Sequence, residues 1–177
     1  MIQTVDISIT HNNIFNKAKT AYNNFEGRQI PFAAVRLNIC LQNTCKKEID
    51  EIVEGNFRSE NDLIFKECEN YLILMEKTTI EAAEKAVNRL KTKVSHIIAR
   101  NFENLKDSNL VCASAYILGS AREANKISFK YLDLNPILNS LERKIHKMPF
   151  GYGEYLRWFE LAKSHSFKIN KMINIVV

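Results

Sequence analysis

The sequence predicts an α/β chain of the α+β kind, with a mixed central sheet flanked by helices. Three observations carry that class. Apolar residues recur every three or four positions in several stretches, most clearly from Ile80 to Ile98, which is the period of an amphipathic helix. Phe32 to Leu41 and Leu110 to Leu118 are short runs dense in small, aliphatic and β-branched residues, with the length of buried strands. Asp62 to Lys66 and Tyr71 to Glu76 are two further apolar runs separated by four residues, the spacing of a β-hairpin.

Taken in order, Ile14 to Phe25 reads as a helix through Phe15, Ala18, Ala21, Tyr22 and Phe25, with Gly27 expected to end it. Pro31 introduces the first strand. Lys46 to Val53 reads as a short helix closed by Gly55, and the hairpin follows. Thr78 and Thr79 are candidate caps for the next helix, and Glu81 supplies an acidic residue in its first turn. Its stripe is Ile80, Ala83, Val87, Leu90, Val94, Ile97 and Ile98, with Lys85, Arg89, Lys91 and Lys93 mostly off it. Gly119 is expected to stop the second buried strand, and Ile127 to Leu132 reads as another short strand. Leu134, Ile137, Leu138, Leu141 and Ile145 stripe a further helix, broken by Pro149 and Gly151. Tyr155 to Ala162 continues as an aromatic-rich helix, and Phe167 to Val177 reads as a terminal strand or a tail. Helix and strand alternate around one hairpin, the order of a ferredoxin-like palm.

The chain has 177 residues, 46% hydrophobic and 25% charged, which suits one domain with its own core and argues against wholesale disorder. Five glycines and three prolines leave no stretch that reads as a linker. The N-terminal MIQTVDISITHNN lacks a basic-then-apolar signal pattern, and the longest apolar stretches are too short to span a bilayer. A cytoplasmic protein without a membrane partner is therefore expected. Cys40, Cys45, Cys68 and Cys112 are scattered, so reduced structural thiols are expected rather than a zinc site. His11, His96, His146 and His165 form no spaced pair. The net charge of +5 is weak evidence for an anionic partner.

The central part of the chain resembles a GGDEF (diguanylate cyclase) domain. The residues that carry the resemblance run from Arg58-Ser-Glu-Asn-Asp62 through Glu67-Cys68-Glu69-Asn70-Tyr71 at the hairpin to Ile80-Glu-Ala-Ala-Glu-Lys-Ala-Val-Asn-Arg89-Leu90. Ala113-Ser114-Ala115-Tyr116-Ile117-Leu118-Gly119 looks like the family's Ser-x-Gly strand. The likeness covers about residues 6–147 and leaves 148–177 as a C-terminal helical extension of a single domain. It implies a palm that binds a guanine nucleotide with two magnesium ions.

The departures from the pattern decide the functional expectation. Glu67 and Cys68 stand at the two glycine positions, where a Cβ obstructs the approach of backbone to phosphate. Glu69 keeps a carboxylate, but Asn70 replaces the following glutamate, and Asn38 or Cys40 stands where the family has a first-strand aspartate. Two magnesium ions need anionic oxygen ligands. The helix residues that read guanine in the family have no counterpart between Asn38 and Asp62. Arg58 and Asp62, with three residues between them, depart from the Arg-x-x-Asp of the family's product-binding site and remain candidates for nucleotide binding, against an ordinary surface ion pair.

The expectation is a catalytically inactive, bacterial-type signalling or regulatory module that needs no cofactor and no metal. It acts on a protein partner or as a homodimer. Residual binding of GTP or cyclic di-GMP, or residual nucleotidyl cyclase activity, is the alternative. A nucleic-acid-binding ferredoxin-like module is a second one, disfavoured because the strands carry mainly aliphatic residues where RNA-binding sheets carry aromatics. Residues 150–159 hold five aromatics, so Tyr152, Tyr155, Arg157, Trp158 and Phe159 are candidates for a partner-binding surface, with core packing against the palm as the plainer reading.

Overall fold

The computed structural model describes residues 7–40, 45–58, 60–67, 70–100, 112–122, 126–134 and 152–163. Helix α1 (Ile7–Arg28) precedes strand β1 (Phe32–Cys40), helix α2 (Lys46–Glu54) and the hairpin of β2 (Asp62–Glu67) and β3 (Asn70–Glu76). Helix α3 (Ile80–Arg100), strands β4 (Cys112–Ala121) and β5 (Lys126–Asp133) and helix α4 (Tyr152–Lys163) follow. The expected helix between Leu134 and Ile145 and the expected terminal strand or tail lie outside the described residues.

The sheet has the order β2-β3-β1-β4-β5, and every pairing in it is antiparallel. The mixed sheet expected from the alternation is thus corrected. The β1-α2-β2 crossover steps over β3, and the β3-α3-β4 crossover steps over β1. Strands that run the same way are therefore never neighbours, and no parallel ladder forms. Two such interleaved units, β1-α2-β2 and β3-α3-β4, are the ferredoxin-like palm, with β5 added at one edge.

Two glycines act differently from expectation. Gly27 lies inside α1, and the helix runs to Arg28 and is capped by Gln29, whose φ of 55° is left-handed. The Gln29 N–H donates to the Phe25 carbonyl at 2.9 Å, which is the usual bond of a left-handed cap. Gly119 does not stop β4 but sits inside it, paired with Ala33 of β1. A Cβ there would lie 2.9 Å from the Ala33 Cβ and from the Phe32 carbonyl oxygen, so the glycine permits a close approach rather than a turn.

The alternation of side chains along the strands divides the core in two. On one face Ala33, Val35, Leu37, Ile73, Met75, Ala115 and Ile117 meet α2 and α3, including Ile49, Val53, Val87, Leu90 and Val94. The predicted stripe of α3 is buried throughout. On the other face Phe32, Ala34, Leu72, Leu74 and Leu118 meet α1 and α4. The molecule is a three-layer sandwich, with helices on both sides of the sheet.

Candidate functional site

The β2–β3 hairpin closes with Glu67 opposite Asn70; Cys68 and Glu69 between them lie outside the described residues. Asn70 is in turn the cross-strand partner of Asn38, which pairs with Ser114, which pairs with Asp133. A polar row therefore crosses the sheet at one end of its α1/α4 face, where the rows further in are mainly apolar and aromatic. Asn38 and Asn70 are both half-buried, so two neutral amides stand as cross-strand neighbours in this row. Cys40 ends β1, two positions beyond Asn38.

Arg36 sits one pleat further in, on the same face. It is 1% exposed, and its Nη2 donates to Asn70 Oδ1 at 3.0 Å. A guanidinium is always charged in a protein, so this is a fixed positive charge inside the sandwich, joined directly to the row. Reading the sequence for carboxylates and glycines missed it. The available signal was one arginine in a strand that otherwise reads Phe-Ala-Ala-Val-Leu-Asn-Ile-Cys.

On the opposite face the hairpin is tied to α2. Tyr71, next to Asn70, donates its hydroxyl to Asp50 Oδ1, and Lys66 Nζ binds Asp50 Oδ2. Burial pushes the Asp50 carboxyl up, but the hydrogen bonds from Lys66 and Tyr71, with the charges of Lys66 and Lys46, outweigh it and hold the group below its ordinary value. Burial raises the Tyr71 phenol, and the bond to Asp50 raises it further. Asp50 was not singled out in the sequence because nothing there brings α2 beside residue 71.

Arg58 and Asp62 come together as a closed pair. Arg58 Nη2 donates to Asp62 Oδ1 at 2.6 Å, Nε reaches both carboxylate oxygens at 3.2 Å, and the Arg58 backbone N–H donates to Oδ2 at 2.9 Å. The same Nη2 reaches the Glu76 carbonyl at 2.9 Å and Thr78 Oγ1 at 2.8 Å. Asp62 is buried and Arg58 is about half exposed. The hydrogen bond to Asp62 raises the Arg58 guanidinium above its ordinary value. The pair staples the start of β2 to the end of β3 and to the threshold of α3.

The aromatic helix α4 packs inward. Tyr155, Trp158 and Phe159 are buried, and the Tyr155 hydroxyl donates to the Ala18 carbonyl at 2.8 Å. The Tyr155 ring lies against Tyr22 and Phe32, with centroids 5.0 and 5.3 Å away. This corrects the surface reading for those three residues. The α1/α4 face presents Phe32, Leu74 and Leu118, and α1 alone does not cover it. Tyr152, 40% exposed, and the exposed Arg157 are the members of the predicted set that reach solvent.

Among the described residues no group of three His, Cys, Asp or Glu side chains is placed to hold a metal ion. Cys45 is buried at the start of α2, and His96 lies exposed on α3. No helix among the described residues is long and apolar enough to cross a membrane. No protein-family model, curated protein or solved structure matches the chain.

Proposed function

We propose that this chain is a non-catalytic regulatory module on a palm-type fold, working through protein contact. The observation that carries the reading is the facing pair Asn38 and Asn70 with the buried Arg36 bonded to it. A nucleotidyl-transfer palm holds magnesium with anionic oxygens, and the resemblance to the GGDEF pattern implies them at Asn38 or Cys40 and at Asn70. Neutral amides supply none of that charge. The Arg36 guanidinium places a permanent positive charge 3.0 Å from the Asn70 amide oxygen, and a low-dielectric surrounding makes a second cation there costly. The Arg58–Asp62 pair supports the same reading, since both Asp62 oxygens are already occupied within the chain. The retained features are the sheet, both helical layers and the staples between them, which present surfaces without needing a nucleotide.

The test is incubation of the purified protein with GTP and magnesium or manganese, with chromatography for cyclic di-GMP and melting curves in GTP and in cyclic di-GMP. No product and no ligand-dependent rise in melting temperature are expected. Protein-dependent product that is lost in Glu69→Ala would overturn the reading. A saturable melting shift with either nucleotide, which linkage produces for any ligand of the folded state, would replace it with residual nucleotide binding.

A further inference from the structure

Helix α3 carries an outward stripe that the core does not use. From Lys85 to Arg100 the chain reads Lys-Ala-Val-Asn-Arg-Leu-Lys-Thr-Lys-Val-Ser-His-Ile-Ile-Ala-Arg, with five basic residues, one histidine and no acid. Lys85, Arg89, Lys93, His96 and Arg100 follow at steps of four, four, three and four residues, so they share one side of the helix. All five are exposed. At 1.5 Å per residue the stripe is about 22 Å long. Among the described residues Lys85, Arg89 and Lys93 make no ion pair. The helix macrodipole rewards cations only in the last turn, so it does not account for Lys85 and Arg89.

The C-terminal half of the stripe borders a groove of about 480 Å³ between α2 and α3, lined by Glu48, Ile52, Thr92, Lys93, His96, Ile97 and Arg100. Its floor is apolar at Ile52 and Ile97. Its one carboxylate, Glu48, is neutralised by Arg100, whose Nη2 lies 2.6 Å from Glu48 Oε1.

We propose that this groove docks an acidic amphipathic helix of a partner protein. An apolar side chain of that helix would enter over Ile52 and Ile97, and its acidic residues would lie along Lys85, Arg89 and Lys93. Charge complementarity excludes a basic partner. The aliphatic floor separates the site from one built for nucleic acid, which would offer aromatics for base stacking or cations alone for phosphates. The inference rests on the protein-contact reading above and gives it a surface and a partner chemistry.

The experiment uses the full chain and a fluorescently labelled synthetic helical peptide, with leucines three and four residues apart flanked by glutamates. Fluorescence anisotropy is expected to show saturable binding that weakens as salt is raised. Arg89→Glu/Lys93→Glu is expected to lower affinity about tenfold or more with an unchanged melting temperature, because like charges then face each other. The same peptide with lysines in place of the glutamates is expected to bind that variant better than the original chain. Equal binding of a scrambled peptide, or an affinity indifferent to the double substitution, overturns the proposal. So does tighter binding of a single-stranded oligonucleotide or of vesicles containing anionic lipid. Peptide binding is read independently of cyclic di-GMP formation. A silent groove in a protein without cyclase activity overturns the groove alone, and cyclase activity overturns the module reading whatever the peptide does.

Discussion

The two faces of the sheet are closed by different means. Under α2 and α3 the core is mainly aliphatic, built largely of alanine, valine, isoleucine and leucine at helical and strand periods, with Phe57 and Tyr71 as its aromatic members. Under α1 and α4 it is aromatic, with Tyr22, Phe25, Phe32, Phe65, Tyr116, Phe129, Tyr155, Trp158 and Phe159 in one cluster. The aliphatic face is made by the two crossover helices, each joined to the strands it covers. The aromatic face is made by helices from the two flanks of the palm, as the Tyr155–Ala18 hydrogen bond shows by joining positions 137 residues apart. Large rings suit the second task because each covers much area from one backbone position, and edge-on pairs such as Tyr155–Phe159 tolerate varied approach angles. The inward face of α4 is thus a structural cover over the aromatic core, and of its candidate contact residues Tyr152 and Arg157 remain at the surface.

The sharpest break of that comparison is at Trp158. Truncation to alanine should cost about 3–5 kcal/mol of folding stability, the cost of emptying a fully buried aromatic site. Its indole N–H has no acceptor among the described residues, so Trp158→Phe should cost clearly less, since it removes a buried donor along with part of the ring. Urea denaturation of both variants checks this, and equal losses would mean that the indole nitrogen is satisfied. On the aliphatic face Leu90→Ala should cost about 2–5 kcal/mol, at the upper end only if the cavity does not collapse. An unchanged denaturation midpoint would remove α3 from the core.

A smaller effect separates packing from tethering on that same face. Tyr71→Phe keeps the ring and deletes the hydroxyl that reaches Asp50, for a loss of about 1 kcal/mol near neutral pH. The pH dependence has a definite sign. The Asp50 carboxyl is held below its ordinary value, so its contribution is present above the unfolded value of about 4 and is lost as pH falls through the lowered folded value. Without the Tyr71 hydroxyl the folded value rises, and the acid limb of a stability-against-pH curve should move to higher pH. A limb that stays in place would show that Lys66 alone holds the carboxylate.

Much of the aliphatic layer was legible because its information is local. The α3 stripe from Ile80 to Ile98, the hairpin strands and the short α2 helix each repeat at one period over contiguous residues, and all lie where periodicity puts them. Gly119 was misread because a glycine in sequence has the same letter whether it permits a turn or a close strand. Only the approach of Ala33 decides between them. Arg58 and Asp62 were legible as a pair, but their closure on Glu76 and Thr78 depends on the return of β3.

By itself the sequence determined the α+β class, the hairpin and the long amphipathic helix that follows it, since secondary-structure period and burial are written in neighbouring residues. It also determined that Asn38 and Asn70 bring no carboxylate to the palm. Tertiary structure alone decided that the two amides face each other beside Arg36, that the aromatic helix turns inward, and that α2 and α3 leave a basic groove with an aliphatic floor. Each of those depends on contacts between residues far apart in the chain, where strand order and side-chain direction choose the partner and composition does not.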